Sequence, residues 1–265
     1  MNSWHRAFGA GVIAALLAFA ATAFAGDVDA KKILAPTGSL RAALYPGTPT
    51  SILDPKEREP RGVGYELGKE LARQLNVPYE PVVYPKNADV QEAMKTGKAD
   101  VAFTNASPAR QKLMNFGPPF LLIELGYLVP ANSKISSSGD IDQKGIRVGV
   151  AAGSTSESTL SRELKNAEVV RATTNLNGAE LLAAGKIDAY ATNKATLFEL
   201  ATKVPGSTIL PDRWGEERHA IAIPKGREEG VAYIKAFTED ALKRGLVKAA
   251  MDRAGLRGAL AADAK

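Results

Sequence analysis

The strongest constraint in this 265-residue sequence is a series of short apolar strands that alternate with amphipathic helices, and the series occurs twice. In the first copy, strands are predicted at residues 39–44, 79–84 and 99–104, and helical patterns begin at Val63 and Ala88. Strands that alternate with helices predict parallel pairing with helical crossovers. The first copy therefore predicts an α/β unit.

The second copy restarts with a mostly apolar strand of the buried type at residues 146–152. Further strands are predicted at residues 168–172 and 187–191, and helices at about 156–164 and 176–184. This copy has about the same size as the first. The chain therefore predicts two α/β units.

Apolar extended segments at residues 125–130 and 220–224 bracket the second unit. They indicate that the chain enters that unit once and leaves it once, so that the second unit is an insertion with a hinge of two crossings. The predicted organisation is lobe 1 at residues 26–126, a hinge strand at 127–132, the inserted lobe 2 at 133–217, a second hinge strand at 218–223, and C-terminal helices that return to lobe 1 at 224–265.

The first 25 residues predict a signal peptide. Arg6 precedes an uncharged run from Ala7 to Phe24, and residues 23–25 form an A-x-A cleavage site. The run is close to the ~20 residues that span a bilayer, so an uncleaved anchor is the alternative. The cleavage site favours removal of the leader and export to the periplasm.

Composition argues against several classes of protein and site. The chain has no cysteine, which excludes disulfides and a lipid-attached cysteine after the leader. Its 34 basic and 29 acidic residues are interspersed, without the basic stripe that nucleic-acid binding needs. The two histidines, His5 and His219, are far apart, so no metal site or cofactor is predicted. His219 is interpreted as a surface or hinge residue.

Ligands of open α/β sheets bind at the carboxyl ends of the strands. After the strand that ends at Thr104, Ser107 can cap a helix that begins at Pro108 and carries Arg110 on its first turn. A guanidinium there grips a carboxylate through two parallel hydrogen bonds. A surface arginine beside Lys112 is the alternative interpretation.

The second lobe has a similar cluster of hydrogen-bond donors after residues 146–152. Ser154 with Glu157 matches a capping box, although Ser156 could cap the same helix. Hydroxyls and unpaired N–H groups at a helix start stabilise an anion. Plain capping is the alternative, but the two lobes together predict one shared anion site.

The sequence resembles the type 3 extracellular solute-binding proteins of ABC importers, typified by the periplasmic amino-acid-binding proteins. The resemblance runs from Gly38 to about Gly258 and rests on the segments GSLRAAL, GVGYELGKELARQL, TGKADVAFTNASPARQKLMNFGPPF, IDQKGIRVGVAAGST, LLAAGKIDAYATN and HAIAIPKG. It implies the type II periplasmic binding fold, with two open, mostly parallel sheets flanked by helices and joined by a two-strand hinge. It also implies a monomer, not an enzyme, that hands a small anionic solute to a membrane-embedded ABC permease.

The resemblance implies specific ligand contacts. Arg110 falls on the arginine that holds the ligand's α-carboxylate in this family, and Ser154 and Thr155 fall on second-lobe donors to the same group. Asn105, with Thr104 beside it, occupies a polar first-lobe position that commonly contacts ligand.

Two departures from the family pattern concern the ligand's amine. A carboxylate usually follows the strand at residues 187–191, but Asn193 stands there, and Tyr45 replaces a second acidic residue after the first strand. A buried ammonium without an anionic partner costs several kcal/mol. We therefore expect a small carboxylate without an amine, or one whose amine is held elsewhere. Phe103 and Tyr190 leave room for an aromatic or apolar tail, although strand alternation could equally bury both in the core.

Two other functions remain as alternatives to import. The first is an exported sensor or accessory protein, which would need the same cleft; a neighbouring kinase gene would favour it, and a neighbouring permease and ATPase would favour import. The second is a dehydratase or lytic transglycosylase of the same fold. The sequence offers no His-paired nucleophile, and the only carboxylate among the predicted cleft residues is Glu157, which capping explains better.

Overall fold

The structure is a computed structural model, and it describes residues 27–45 and 61–262. The predicted signal peptide lies outside these ranges. Within them, no helix combines the length and the apolar composition that a bilayer crossing requires. The helices are α1 (Asp27–Leu34), α2 (Val63–Gln74), α3 (Asn87–Lys95), α4 (Pro108–Gln111), α5 (Thr155–Glu163), α6 (Asn175–Ala183), α7 (Lys194–Ala201), α8 (Val231–Lys243) and α9 (Leu246–Ala254), with 3-10 turns at Ser138–Asp140 and Glu228–Gly230.

The strands form one continuous hydrogen-bonded sheet with the order β2-β1-β3-β9-β4-β7-β5-β6. They are β1 (Leu40–Leu44), β2 (Tyr79–Val83), β3 (Val101–Asn105), β4 (Met114–Val129), β5 (Arg147–Ala151), β6 (Glu168–Ala172), β7 (Ala189–Asn193), β8 (Thr208–Ile209), β9 (Gly215–Pro224) and β10 (Ala259–Ala261). β1 is parallel to β2 and β3, and β5 is parallel to β6 and β7. Each half of the sheet therefore has a parallel core, which confirms the predicted α/β class.

The antiparallel strands β4 and β9 connect the two parallel halves. β4 pairs with β9 from Met114 to Leu125 and with β7 from Leu125 to Leu128. β9 pairs with β3 on its other side. The chain thus passes from one half of the sheet to the other along β4 at Leu125 and returns along β9 from Gly215. The assignment of individual residues to lobes stays a prediction.

Each half of the sheet has its own apolar core. In the first half, α2 buries the residues that recur every four positions in the sequence, Val63, Leu67 and Leu71. This spacing places them on one helix face, which packs with the central strands and with α8 and α9. In the second half, Val148, Val150 and residues of β7 form the core, with α5 on one face and α6 and α7 on the other.

The C-terminal segment is helical, as the sequence predicts. Between residues 228 and 254 the structure divides it into a 3-10 turn, α8 and α9. Gly245 lies at the break, with φ of 70°, a left-handed conformation that glycine adopts without steric cost. The division lets α9 pack against α2 in the first half of the structure.

The two halves repeat one ion-pair arrangement at the start of their central strands. In the first half, the Arg41 guanidinium donates to both oxygens of Asp100, at 2.8 Å and 2.7 Å, and to the Gly97 carbonyl at 2.8 Å. In the second half, Arg147 donates to both oxygens of Asp188, at 2.9 Å each, and to the Gly185 carbonyl at 2.8 Å. The repeat ties the first strand of each half to its third strand.

The repeated pairs differ in burial, so they should differ in their contribution to stability. The Asp100 side chain is fully buried and also accepts from Arg227, whereas the Asp188 side chain is 32% exposed. Breaking a buried pair leaves uncompensated charge, so Asp100→Asn should lower the free energy of unfolding by about 3 kcal/mol. Asp188→Asn should cost clearly less, because water screens an exposed pair. Urea unfolding of both variants measures the difference, and equal losses would contradict the prediction.

Candidate functional site

A cavity of about 40 Å³ lies between the two halves, with room for about three water molecules. Its lining comes from the strand ends of both halves and from β9. Six of the seven predicted ligand-binding residues contribute to it, namely Tyr45, Thr104, Arg110, Ser154, Thr155 and Asn193. The remaining lining residues are Ala43, Asn87, Val90, Phe103, Ser156, Asn175, Thr192, Glu217 and His219.

The structure positions Arg110 at the cavity by a short capped helix. Ser107 caps α4 and accepts from the backbone N–H of Arg110, as the sequence predicts. The Arg110 side chain is only 7% exposed, and its Nη1 donates to the Thr104 hydroxyl at 2.6 Å. Burial lowers the pKa of Arg110, and the negative charge of Glu217 acts in the opposite direction. Because a guanidinium keeps its proton in proteins, Arg110 places a buried positive charge in the cavity wall.

The start of α5 supplies hydrogen-bond donors from the second half. Ser154 caps α5 by accepting from the N–H of Glu157 at 3.0 Å. The carboxylate of Glu157 accepts a hydrogen bond from the N–H of Gly153, at 2.6 Å, rather than from the N–H of Ser154. The predicted capping box is thus displaced by one residue, and plain capping accounts for both side chains. Thr155 lies at the first position of the helix and faces the first half.

Direct hydrogen bonds join the two halves beside the cavity. The Asn105 amide donates to the Thr155 hydroxyl at 3.0 Å, and its oxygen accepts from the backbone N–H of Arg218 at 2.9 Å. Gln91 of α3 donates to the Gly153 carbonyl at 3.2 Å. Asn105 is buried here and does not line the cavity. Its position makes it a bridge between the lobes.

The aromatic residues near the cavity fall into two groups. Tyr45 and Phe103 are buried and line the cavity. Burial raises the pKa of Tyr45, and a hydrogen bond with the Asn175 backbone opposes that shift, so the phenol is neutral at physiological pH. Tyr190 instead lies in the core of the second half, where its hydroxyl donates to the Asn175 amide oxygen at 2.9 Å. Of the two interpretations of Tyr190, burial in the core is correct.

Asn193 uses both ends of its amide within the protein. Its oxygen caps α7 by accepting from the N–H of Thr196 at 2.9 Å. Its nitrogen donates to Oε2 of Glu217 at 3.1 Å. Asn193, which stands where the family usually has a carboxylate, therefore donates a hydrogen bond to the carboxylate of Glu217 on β9.

Glu217 and His219 correct the sequence-based expectations for this cavity. Glu157 was the only carboxylate expected in the cleft, but Glu217 lines the cavity and is 7% exposed. Of the two interpretations of His219, surface or hinge, its 4% exposure excludes the surface, and its Nε2 donates to Oε2 of Glu217 at 2.8 Å. Both lie on β9, two residues apart, so their side chains share one face of the strand.

Charges and hydrogen bonds around Glu217 keep it ionised. Burial by itself would raise the pKa of this carboxyl, because the charged form loses water. The bond from His219, the charges of His219 and Arg110, and the Asn193 amide outweigh that cost and hold the pKa of Glu217 below its usual value. Within the described ranges, no cluster of three or more His, Asp or Glu residues could hold a metal ion. The cavity thus combines a buried anion with a buried cation.

Known proteins of similar sequence and structure are solute-binding proteins. The sequence model for bacterial extracellular solute-binding proteins, family 3, matches residues 40–255. The amino-acid-binding protein AabA of Dichelobacter nodosus is 26% identical over 201 residues, covering 73% of this chain and 77% of that protein. The P235GK mutant of ArgBP from T. maritima matches with a TM-score of 0.75 at 22% identity, covering 84% of this chain and 98% of that chain.

A further crystal structure is that of the ancestral amino acid-binding protein AncCDT-1, a precursor of cyclohexadienyl dehydratase. It matches with a TM-score of 0.74 at 25% identity, covering 85% of this chain and 98% of that chain. These likenesses confirm the predicted two-lobed fold.

Replacing Asn193 by Asp should make stability depend on pH. Asp caps a helix as well as Asn, but Asn193→Asp removes the donor to Glu217 and places two buried carboxylates together. Like charges raise the pKa of such a pair in the folded state, so stability is lost as pH rises. Urea unfolding should show a loss of about 1–3 kcal/mol at pH 8 and a smaller loss at pH 5. Asn193→Ser keeps a cap without the charge, and its effect should be the same at both pH values.

Proposed function

Because this chain belongs to the bacterial extracellular solute-binding proteins of family 3, we propose that it captures a small carboxylate-bearing solute between its two lobes. The solute is amino-acid-like or an organic acid. An ABC permease in the membrane receives it from the binding protein in the periplasm. We further propose that the protein acts as a monomer, that it catalyses no reaction, and that it loses its first 25 residues on export.

The observation that carries the proposal is the buried guanidinium of Arg110. Among the described residues, its side chain donates one hydrogen bond, to Thr104. The start of α5, with Thr155 at its first position, belongs to the other half and lines the same cavity. A carboxylate between these groups would receive charge-assisted bonds from Arg110 and hydrogen bonds from α5. Such a ligand would connect the two lobes and favour their closure.

The division of the chain supports the same proposal. We assign residues 133–217 to an inserted second lobe and the flanking segments to hinge strands, since β4 changes partner at Leu125 and β9 begins at Gly215. A hinge made of two antiparallel strands lets the lobes rotate while each keeps its own core. The cavity of about 40 Å³ corresponds to closed lobes, and rotation about the hinge would admit the solute.

The enzymatic alternative has less support. The named relatives are binding proteins, and AncCDT-1 is itself described as an amino acid-binding protein. Glu217 and His219 could exchange a proton with a ligand, but their mutual hydrogen bond and the hydrogen bond that Glu217 accepts from Asn193 fit a binding role. Incubation of the protein with cyclohexadienyl substrates tests the alternative directly, and turnover would replace the proposal.

Removing the charge of Arg110 should strongly weaken the capture of carboxylates. A thermal-shift screen of the L-amino acids and of amine-free carboxylates identifies binding compounds, because a ligand of the folded state raises Tm. For a compound that binds, Arg110→Gln should weaken the affinity at least about 30-fold, which corresponds to about 2 kcal/mol. Arg162→Gln removes an exposed charge whose partner, within the described residues, is Glu163, so the affinity of this variant should match the wild type. Unchanged binding in a folded Arg110→Gln variant would refute the site.

A further inference from the structure

The Glu217–His219 pair carries a further inference about the ligand, which rests on the proposed function. Both bonds to the Glu217 carboxylate, from Asn193 and from His219, end on Oε2. Within the described part of the chain, nothing donates a hydrogen bond to Oε1. The Nδ1 atom of His219 is also buried without a hydrogen-bond partner there. A buried carboxylate at the cavity therefore has one oxygen available to a donor from the ligand.

Few charged groups of the described residues surround this pair. β3 and β4 flank β9 and place the uncharged Asn105 and Leu121 opposite His219. Arg110 of α4 is the other charged group in the cavity wall that acts on Glu217. The phenol of Tyr45 is neutral because burial raises its pKa.

Neighbouring charges are engaged elsewhere. Lys194, next to Asn193, donates to Glu124 at 2.8 Å and to the Pro211 carbonyl at 2.9 Å. Glu216 and Arg218, on the other face of β9, pair with each other at 3.3 Å. Glu157 pairs with Arg171 at the start of α5. Among residues 27–45 and 61–262, the charge of the cavity therefore depends on Arg110, Glu217 and His219, together with the ligand.

We propose that Glu217 binds the cationic nitrogen of an amine-bearing ligand, and that His219 releases its proton to the solvent when such a ligand binds. With neutral His219, the charges of Arg110 and Glu217 cancel, and a zwitterionic amino acid leaves the closed cavity neutral. With protonated His219, the positive charge of the imidazolium replaces that of the ligand's ammonium beside Glu217. The cavity then carries one net positive charge, which a carboxylate without an amine neutralises.

This exchange gives the two ligand classes opposite dependences on pH. Histidine side chains titrate between about pH 5 and 8. At pH values where His219 is protonated, an amino acid must displace that proton to bind, so the affinity for the amino acid rises with pH. An amine-free carboxylate needs the proton, so its affinity falls as pH rises. Each slope approaches one proton, or about tenfold in Kd per pH unit.

Isothermal titration calorimetry between pH 5 and 8 tests the exchange with matched probes. The pairs are L-alanine with propionate, L-valine with 3-methylbutanoate, and L-glutamine with glutaramate, which differ only in the α-amine. For the tightest pair, titration in two buffers of different ionisation enthalpy should show close to one proton released by the amino acid at acidic pH. The carboxylate should take up close to one proton at basic pH. Parallel slopes for the two ligand classes would overturn the inference.

Variants identify the groups responsible. His219→Gln keeps a donor to Glu217 but does not titrate, so both slopes should disappear. Glu217→Gln should weaken amino-acid binding at least 30-fold without weakening the carboxylate, whereas Glu216→Gln, on the neighbouring residue, should change neither. If Glu217→Gln does not fold, the wild-type proton counts and the His219→Gln slopes decide the matter. Retention of either slope in His219→Gln would refute the role of His219.

Histidine NMR provides a readout independent of affinity. The chain contains two histidines, and removal of the first 25 residues takes away His5, so the imidazole signal of the mature protein belongs to His219 and should be missing in His219→Gln. Saturating amino acid should shift the His219 signal toward its neutral form, and an amine-free carboxylate should shift it toward its protonated form. If the probes bind without these shifts, the inference fails while the proposed function stands. If no probe binds at any pH, the proposed function fails as well.

Discussion

The buried charge of Arg110 is the physical constraint on which the proposed binding of a carboxylate depends. Moving a guanidinium out of water costs several kcal/mol unless an anion and hydrogen-bond acceptors replace that water. Here Thr104 accepts one hydrogen bond, and Glu217 offsets part of the charge through space. A ligand carboxylate would supply the remaining acceptors. Closure over an anion is thus favoured over closure on water alone.

The direct contacts between the lobes are weak by comparison. Asn105 with Thr155, and Gln91 with the Gly153 carbonyl, are hydrogen bonds between neutral groups, each worth about 1 kcal/mol net. Such contacts fix the relative position of the lobes with only a modest gain in free energy. Under the proposed function, a ligand that binds mainly the closed state shifts the population toward it, and its selection depends on the charged groups in the cavity wall.

Much of this structure could be predicted from local patterns in the sequence. The four-residue spacing of Val63, Leu67 and Leu71 predicts α2, and Ser107 followed by Pro108 predicts the helix that carries Arg110. The first half of β4 was missed, because the Gly117, Pro118 and Pro119 of its sequence are typical of a turn. The structure accommodates them with irregular pairing between Phe116 and Leu121, which only the partner strand β9 makes possible.

Glu217 was missed for a related reason. The segment Glu216-Glu217-Arg218 has the composition of an exposed loop, and three charged residues in succession give no apolar signal. A signal was nevertheless present, because Glu217, His219 and Ile221 alternate with the other residues of the strand and so share one face. Its burial follows from long-range pairing of β9 with β3 and β4, and local sequence contains no information about that pairing.

The position of the carboxylate follows from the place of β4 in the sheet. β4 lies between β7 and β9, and Leu125 is paired with Asn193 on one side while Ile123 is paired with Glu217 on the other. Leu125 and Ile123 are two residues apart, so they lie on the same face of β4, and residues paired directly with them share that face. A side chain at the end of β7 and one near the start of β9 therefore reach the same point of the cavity.

The hydrogen bond between Asn193 and Glu217 is the direct sign of this convergence. The absence of an acidic residue after β7 thus does not remove the negative charge from the cavity, because the neighbouring strand supplies it.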